Sequence, residues 1–113
     1  MINAWQALAD DIMTFLIARG VRPTPHRYAV VAHLADQGVL DDHRTTVPIA
    51  DGGASVNRAI LRRTIEMLVR EGIVEQHNGS EGAEYHLRPA EAWGRSPAAR
   101  AARTGDEHLA AAG

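Results

Sequence analysis

The sequence predicts a mainly α-helical domain closed by a small β-hairpin. Three observations carry this expectation. The chain has 113 residues, enough for one modest core. Three segments repeat apolar residues at helical spacing and run out at a glycine. A turn-rich pentapeptide, NGSEG, lies between two short extended runs within residues 73 to 87. With two Trp, two Tyr and one Phe, the core must come largely from Leu, Ile, Val, Ala and Met.

Residues 3 to 19 place Trp5, Leu8, Ile12, Phe15 and Leu16 on one helical face, and Gly20 stands where the helix should end. In TPHRYAVVAHLADQG, Thr24 is an N-cap candidate and Pro25 takes the first helical position, where its missing N–H costs nothing. Tyr28, Val31, Leu34 and Ala35 make the inward stripe, and Gly38 closes the helix. VLDDHRTT is expected as a polar surface loop. Thr46 is placed to cap a very short helix over residues 47 to 51, which the two following glycines cannot continue.

The clearest helix spans 57 to 71, capped by Asn57. Leu61, Ile65 and Leu68 turn inward, with Ile60, Thr64 and Met67 beside them. At about 100° per residue, Arg58, Ala59, Arg62 and Arg63 fall on a different arc and face outward. Strands near 73–77 and 83–87 form the hairpin. After Pro89 the composition turns to Ala, Gly and Arg. Residues 1–88 are therefore expected as the folded domain, and 89–113 as a tail that is disordered or loosely helical from Ser96–Pro97. Trp93 in that tail reads equally well as packing on the domain or as an anchor for a partner. Helices ending in a two-stranded wing make a winged helix-turn-helix. There the last helix enters the DNA major groove and the wing, 73–87, reaches the backbone or minor groove.

Three stretches, ARGVRPTPHRYAVVAHL, NRAILRRTIEMLVREGIV and QHNGSEGAEYHL, together resemble the DNA-binding half of the ferric uptake regulator (Fur) family, over about residues 15 to 87. The resemblance implies that Arg22, just before the Thr-led helix, reaches the minor groove and that Arg27 meets a phosphate. It also implies that Asn57 caps the recognition helix and that Arg63 presents a guanidinium to DNA. Arg62 stands where the family has an aromatic residue, and Ile60 where it has a small polar one, so the family's usual DNA sequence does not carry over. The family's second domain binds metals through His, Glu and Cys and dimerises. Here the residues after the wing hold one histidine and no cysteine, so the resemblance implies DNA binding without metal sensing.

Composition bounds the function further. The net charge is −2, which does not indicate a nonspecific polyanion binder. All twelve basic residues are Arg; GC-rich coding explains this, and so does the planar recognition of phosphate and guanine that Arg supplies. No apolar run approaches the roughly 20 residues needed to cross a bilayer, and the N-terminus has no basic leader-like region, so a cytoplasmic location is expected. Without cysteine there is no disulfide and no thiolate site. The six histidines show no i, i+4 pair; His77 and His86 could face each other across the wing but lack further ligands, so no metal or other cofactor is expected. No acid–base pair or activated nucleophile is organised, so no enzymatic activity is expected, and no small-molecule ligand is evident.

The outward arginines have an ordinary reading as a solvated face, with Glu66 and Glu71 available to pair with Arg62 and Arg70 at helical spacing, each pair adding a few tenths of a kcal/mol. The functional reading is guanine recognition or phosphate contact. The expectation is a sequence-specific regulator of transcription, a repressor, binding double-stranded DNA through Arg22, Thr24, Arg27, Asn57, Arg58, Arg62, Arg63, His77 and Asn78. Arg27 and Arg63 are expected on phosphates, Arg58 and Arg62 on bases. A winged helix used for protein interaction is the alternative. Operator symmetry favours a homodimer, expected through the N-terminal helix with Trp5, Ile12 and Leu16, or through Trp93.

Overall fold

The computed structural model describes residues 3–41, 45–49 and 53–94. Among these are helices α1 (Ala4–Ala18), α2 (Pro25–Gln37), α3 (Arg58–Arg70) and α4 (Ala90–Gly94), and strands β1 (Val39–Asp41), β2 (Val74–Gly79) and β3 (Gly82–Leu87). The strands form one antiparallel sheet in the order β1-β3-β2. The described residues thus form four helices and a small three-stranded sheet.

Each long helix starts where its cap residue dictates. Asn3 and Gln6 form a reciprocal capping box on α1: the Asn3 side chain accepts from the Gln6 N–H at 3.0 Å, and the Gln6 side chain from the Asn3 N–H at 3.1 Å. Thr24 Oγ1 accepts from the Arg27 N–H at 3.1 Å, with Pro25 at the first helical position. Asn57 Oδ1 accepts from the Ile60 N–H at 2.9 Å. α1 and α3 end alike. Gly20 and Gly72 adopt positive φ (89° and 80°). That left-handed turn lets Val21 and Ile73 donate back to the carbonyls of Leu16 and Leu68, both at 2.9 Å.

α1 packs on α2, and α3 packs on α2 and β2. Ile12 and Leu16 of α1, Val30, Val31 and Leu34 of α2, and Leu61, Ile65 and Leu68 of α3 meet in one core with Leu40, Val47 and Ile73. The apolar stripes read from spacing are in place, with one shift on α2: Val30 is fully buried, while Tyr28 and Ala35 are half-buried.

Four expectations change. VLDDHRTT does not begin as a loop: β1 pairs with β3, and Leu40 is fully buried. Three residues with one buried side chain give no strand signal alone, and β1 exists because β3 offers it an edge. The short helix over 47 to 51 is absent from the described part of that span. Pro48 instead bridges Ser55, Ile49 donates to the Ala54 carbonyl, and Val56 donates to Val47, each of these two bonds at 2.9 Å. Burial of Val47 and Val56 favours this extended pairing over a one-turn helix. The hairpin strands run to Gly79 and from Gly82, so only Ser80 and Glu81 make the turn.

The fourth change is past Pro89. Residues 90–94 form α4, and Trp93 is only 5% exposed. Its ring meets Phe15 edge-on at 5.5 Å, and its Nε1–H donates to the Arg88 carbonyl at 3.2 Å. Of its two readings, packing on the domain holds, and the fold continues to α4. The suggested helix start at Ser96–Pro97 lies outside the described residues.

Candidate nucleic-acid interface

α3 carries the candidate surface because its two sides differ so strongly. Leu61, Thr64, Ile65, Met67 and Leu68 are buried, and the Thr64 hydroxyl is satisfied by donating to the Ile60 carbonyl at 2.8 Å. Arg58, Ala59, Arg62, Arg63, Glu66 and Arg70 are exposed. The buried side fixes the helix, and the exposed side presents Arg58, Arg62 and Arg63 over its first two turns. Among the described residues, no hydrogen bond or ion pair occupies the Arg63 guanidinium.

Ahead of α2, the Arg27 guanidinium donates to the Arg22 carbonyl, while Thr24 caps the Arg27 N–H. These two bonds tie Arg22, Thr24 and Arg27 into one corner. Arg27 is half-buried there and braces the loop that presents the exposed Arg22. Thr24 and Asn57 both spend their side-chain oxygens on capping, so each has a structural role whether or not it also touches a ligand.

The hairpin divides the two residues expected there. Side chains alternate across a strand, so His77 and Asn78 point to opposite faces. Asn78 lies on the helix-side face with Gln76, whose Nε2 donates to Asn78 Oδ1 at 2.9 Å. Register puts Leu40 and Tyr85 on that same face. His77 lies on the outer face with Glu75, Glu84, His86 and, from β1, Asp41 and Val39. The His77 and His86 rings stack at 4.3 Å, so they do face each other. Each imidazole sits beside a carboxylate of its own strand, His86 Nε2 at 3.1 Å from Glu84 and His77 Nε2 at 3.8 Å from Glu75. The outer face is therefore acidic, with three carboxylates and two imidazoles. Among the described residues no group of three or more His, Asp or Glu is arranged to hold a metal.

Two further arginines do structural work that spacing did not suggest. Arg19 pairs with Glu71, 52 residues away, and also sits 5.7 Å from the Phe15 ring centroid. Glu71 has a side chain only 13% exposed and reaches Arg70 at 4.0 Å, so its main partner is across the fold and not along its own helix. Arg88 donates from Nη1 to the Gly72 carbonyl at 3.1 Å and from its backbone to Ile73, which clamps the hairpin base to the end of α3. Only their separation in sequence hid these contacts.

The residues expected at a dimer interface are mostly engaged inside the chain. Ile12 and Leu16 are fully buried and Trp93 nearly so, while Trp5 is half-buried. Among the described residues, Ile17 (50% exposed) and Val69 (37%) are the large apolar side chains left on the surface. Among the described residues no helix is long and apolar enough to cross a membrane. Comparison with known protein families, curated proteins and solved structures finds no match to this chain.

Proposed function

We propose that this chain is a winged helix-turn-helix domain that binds double-stranded DNA and acts in the cytoplasm as a transcriptional repressor. The observation that carries the proposal is the two-sided α3. One side is locked in the core, the other offers three guanidinium groups, and a hairpin follows at once. A rigid helix of this kind can enter the major groove, where Arg reads guanine O6 and N7 in a fork or holds phosphates. The resemblance to the DNA-binding half of the Fur family supports the same reading, as does the Arg22–Thr24–Arg27 corner. The hairpin would approach DNA with its helix-side face and tip, Gln76, Asn78 and Ser80, because the carboxylates of the outer face would repel phosphate. His77 then lies away from the duplex. A homodimer on a near-palindromic site belongs to this reading, with its contacts centred near Ile17 and Val69 instead of Ile12, Leu16 and Trp93.

The test is a salt-dependent mobility shift on random and selected duplexes. The expected result is binding whose logarithm falls linearly with log salt and whose slope drops by about one for each phosphate-binding Arg removed. A second reading has one specific observation in its favour, the acidic outer face of the sheet on a chain of net charge −2. Under it the domain binds another protein. A stable hetero-complex together with no duplex shift at low salt would select that reading.

A further inference from the structure

A groove of about 520 Å³ lies beside α2, away from the candidate DNA surface of α3. Its floor is a single stripe of α2 at helical spacing: Pro25, Tyr28, Ala29, Ala32, His33 and Asp36. Ala29 and Ala32 leave the space open, because no larger side chain rises from the middle of the stripe. Trp5, near the start of α1, forms one wall, and Pro48 with Ile49 forms the other. A groove of this size lies within the range typical of small-ligand sites.

The lining decides the chemistry. Two aromatic side chains, Trp5 and Tyr28, stand half-buried along it and offer ring surface. Among the described residues no arginine lines it, and the one formal charge in that lining is Asp36, whose Oδ2 accepts from Gln37 Nε2 at 2.9 Å. Burial pushes the His33 imidazole below its ordinary value, more than the Asp36 charge raises it, so at neutral pH the ring is an uncharged donor or acceptor. Along this described lining an anion would meet a carboxylate and no cation. A flat ring carrying an ammonium group would find aromatic walls for its body and Asp36 for its charge.

We infer that this groove between α1, α2 and the 48–49 segment is a binding site for a small arylalkylamine, a monocation whose ammonium is carried on a short alkyl chain from one ring or two fused rings. The site has a structural route to α3. Its wall at Pro48 and Ile49 is joined to Ser55 and Ala54 by the β-bridge and its hydrogen bond, two to three residues before the Asn57 cap. The binding inference does not depend on the DNA reading, since none of its readouts involves nucleic acid.

The experiment is a two-dimensional amide NMR titration of the full chain with three probes of one skeleton: tryptamine, indole and indole-3-acetate. The expected result is saturable tryptamine binding with shifts centred on Trp5, Tyr28 to Asp36 and Ile49. Indole should bind more weakly and indole-3-acetate weakest. Asp36→Asn should weaken tryptamine about fivefold, as the loss of an exposed charge pair implies, and leave indole unchanged. Ala32→Leu fills the groove and should abolish binding of both while the circular dichroism and amide dispersion remain native. Equal affinity for the anion, unsaturable or scattered shifts, an Asp36→Asn variant with an unchanged tryptamine-to-indole ratio, or full binding by a folded Ala32→Leu variant would each overturn the inference.

Discussion

Trp93 holds α4 to the domain, and removing it should cost more than any surface change. Its indole is 5% exposed, lies edge-on to Phe15 at 5.5 Å and donates to the Arg88 carbonyl. Replacing a buried Trp by Ala typically costs about 3–5 kcal/mol through lost transfer energy and the cavity left behind. The edge-to-face pair, about 0.5–1.5 kcal/mol, and the lost donor to Arg88, about 1 kcal/mol, lie within that range and place Trp93→Ala at or above about 3 kcal/mol. Small domains lose about 1–3 kcal/mol of stability per molar urea. The urea midpoint should therefore fall by about 1–5 M, and a loss of about 3–5 kcal/mol is a large part of a typical stability of about 5–15 kcal/mol. Trp93→Phe keeps an aromatic ring against Phe15 but loses the N–H, and its midpoint should fall by only about 0.5–1 M. Far-ultraviolet circular dichroism is the assay, because the substitution removes a fluorophore. A chain ending at Arg88 should behave like Trp93→Ala. If both leave the midpoint within about 0.3 M of the native chain, α4 is not part of the cooperative fold and the packing argument fails.

Further outcomes follow from the same geometry. Arg63→Ala should leave the urea midpoint unchanged and lower the slope of log affinity against log salt by about one; a loss of affinity with no change of slope would exclude a phosphate contact. Asn57→Ala should cost about 1 kcal/mol of stability through the lost cap, while Asn57→Asp keeps the cap and so isolates any loss of DNA binding; equal stabilities for Ala and Asp would show that the cap contributes nothing. Glu75→Gln with Glu84→Gln should raise affinity for random duplex modestly at low salt if the hairpin approaches phosphate, and a decrease would place the outer face in favourable contact with a cationic partner instead. His33 binds its proton more readily in the unfolded chain, since burial lowers its value in the fold from 6.5. Its favourable contribution to stability is present above that value and is lost as pH falls through the lower, folded one. His33→Gln should therefore flatten the fall in urea midpoint as pH drops below 6.5, and an unchanged fall would contradict the burial argument.

Much of the local structure was legible because short-range chemistry determines it. Thr24 and Asn57 mark helix starts through a side-chain oxygen that reaches the N–H three residues on; Asn3 caps α1 in the same way, although it was not read as a cap from the sequence. Gly20 and Gly72 mark ends through a φ that other residues avoid. The stripes on α1 and α3 followed from spacing alone, as did the outward arc of Arg58, Arg62 and Arg63. What sequence could not reach was anything set by a distant neighbour. Leu40 becomes strand because β3 is there to pair with it, and Pro48 with Ser55 forms a β-bridge in place of a helical turn because Val47 and Val56 are drawn into the core. Glu71 chooses Arg19 over Arg70, and Trp93 chooses Phe15 over a partner, across intervals that no local pattern encodes. The candidate sites divide in the same way. The arginines of one helix lie within a few residues of each other and could be read from its period, whereas the acidic sheet face and the groove under Trp5 are assembled from separate segments. Side-chain direction on a single element belongs to the sequence; which elements meet, and so which charges and rings share a surface, was decided by packing the one core that all of them bury.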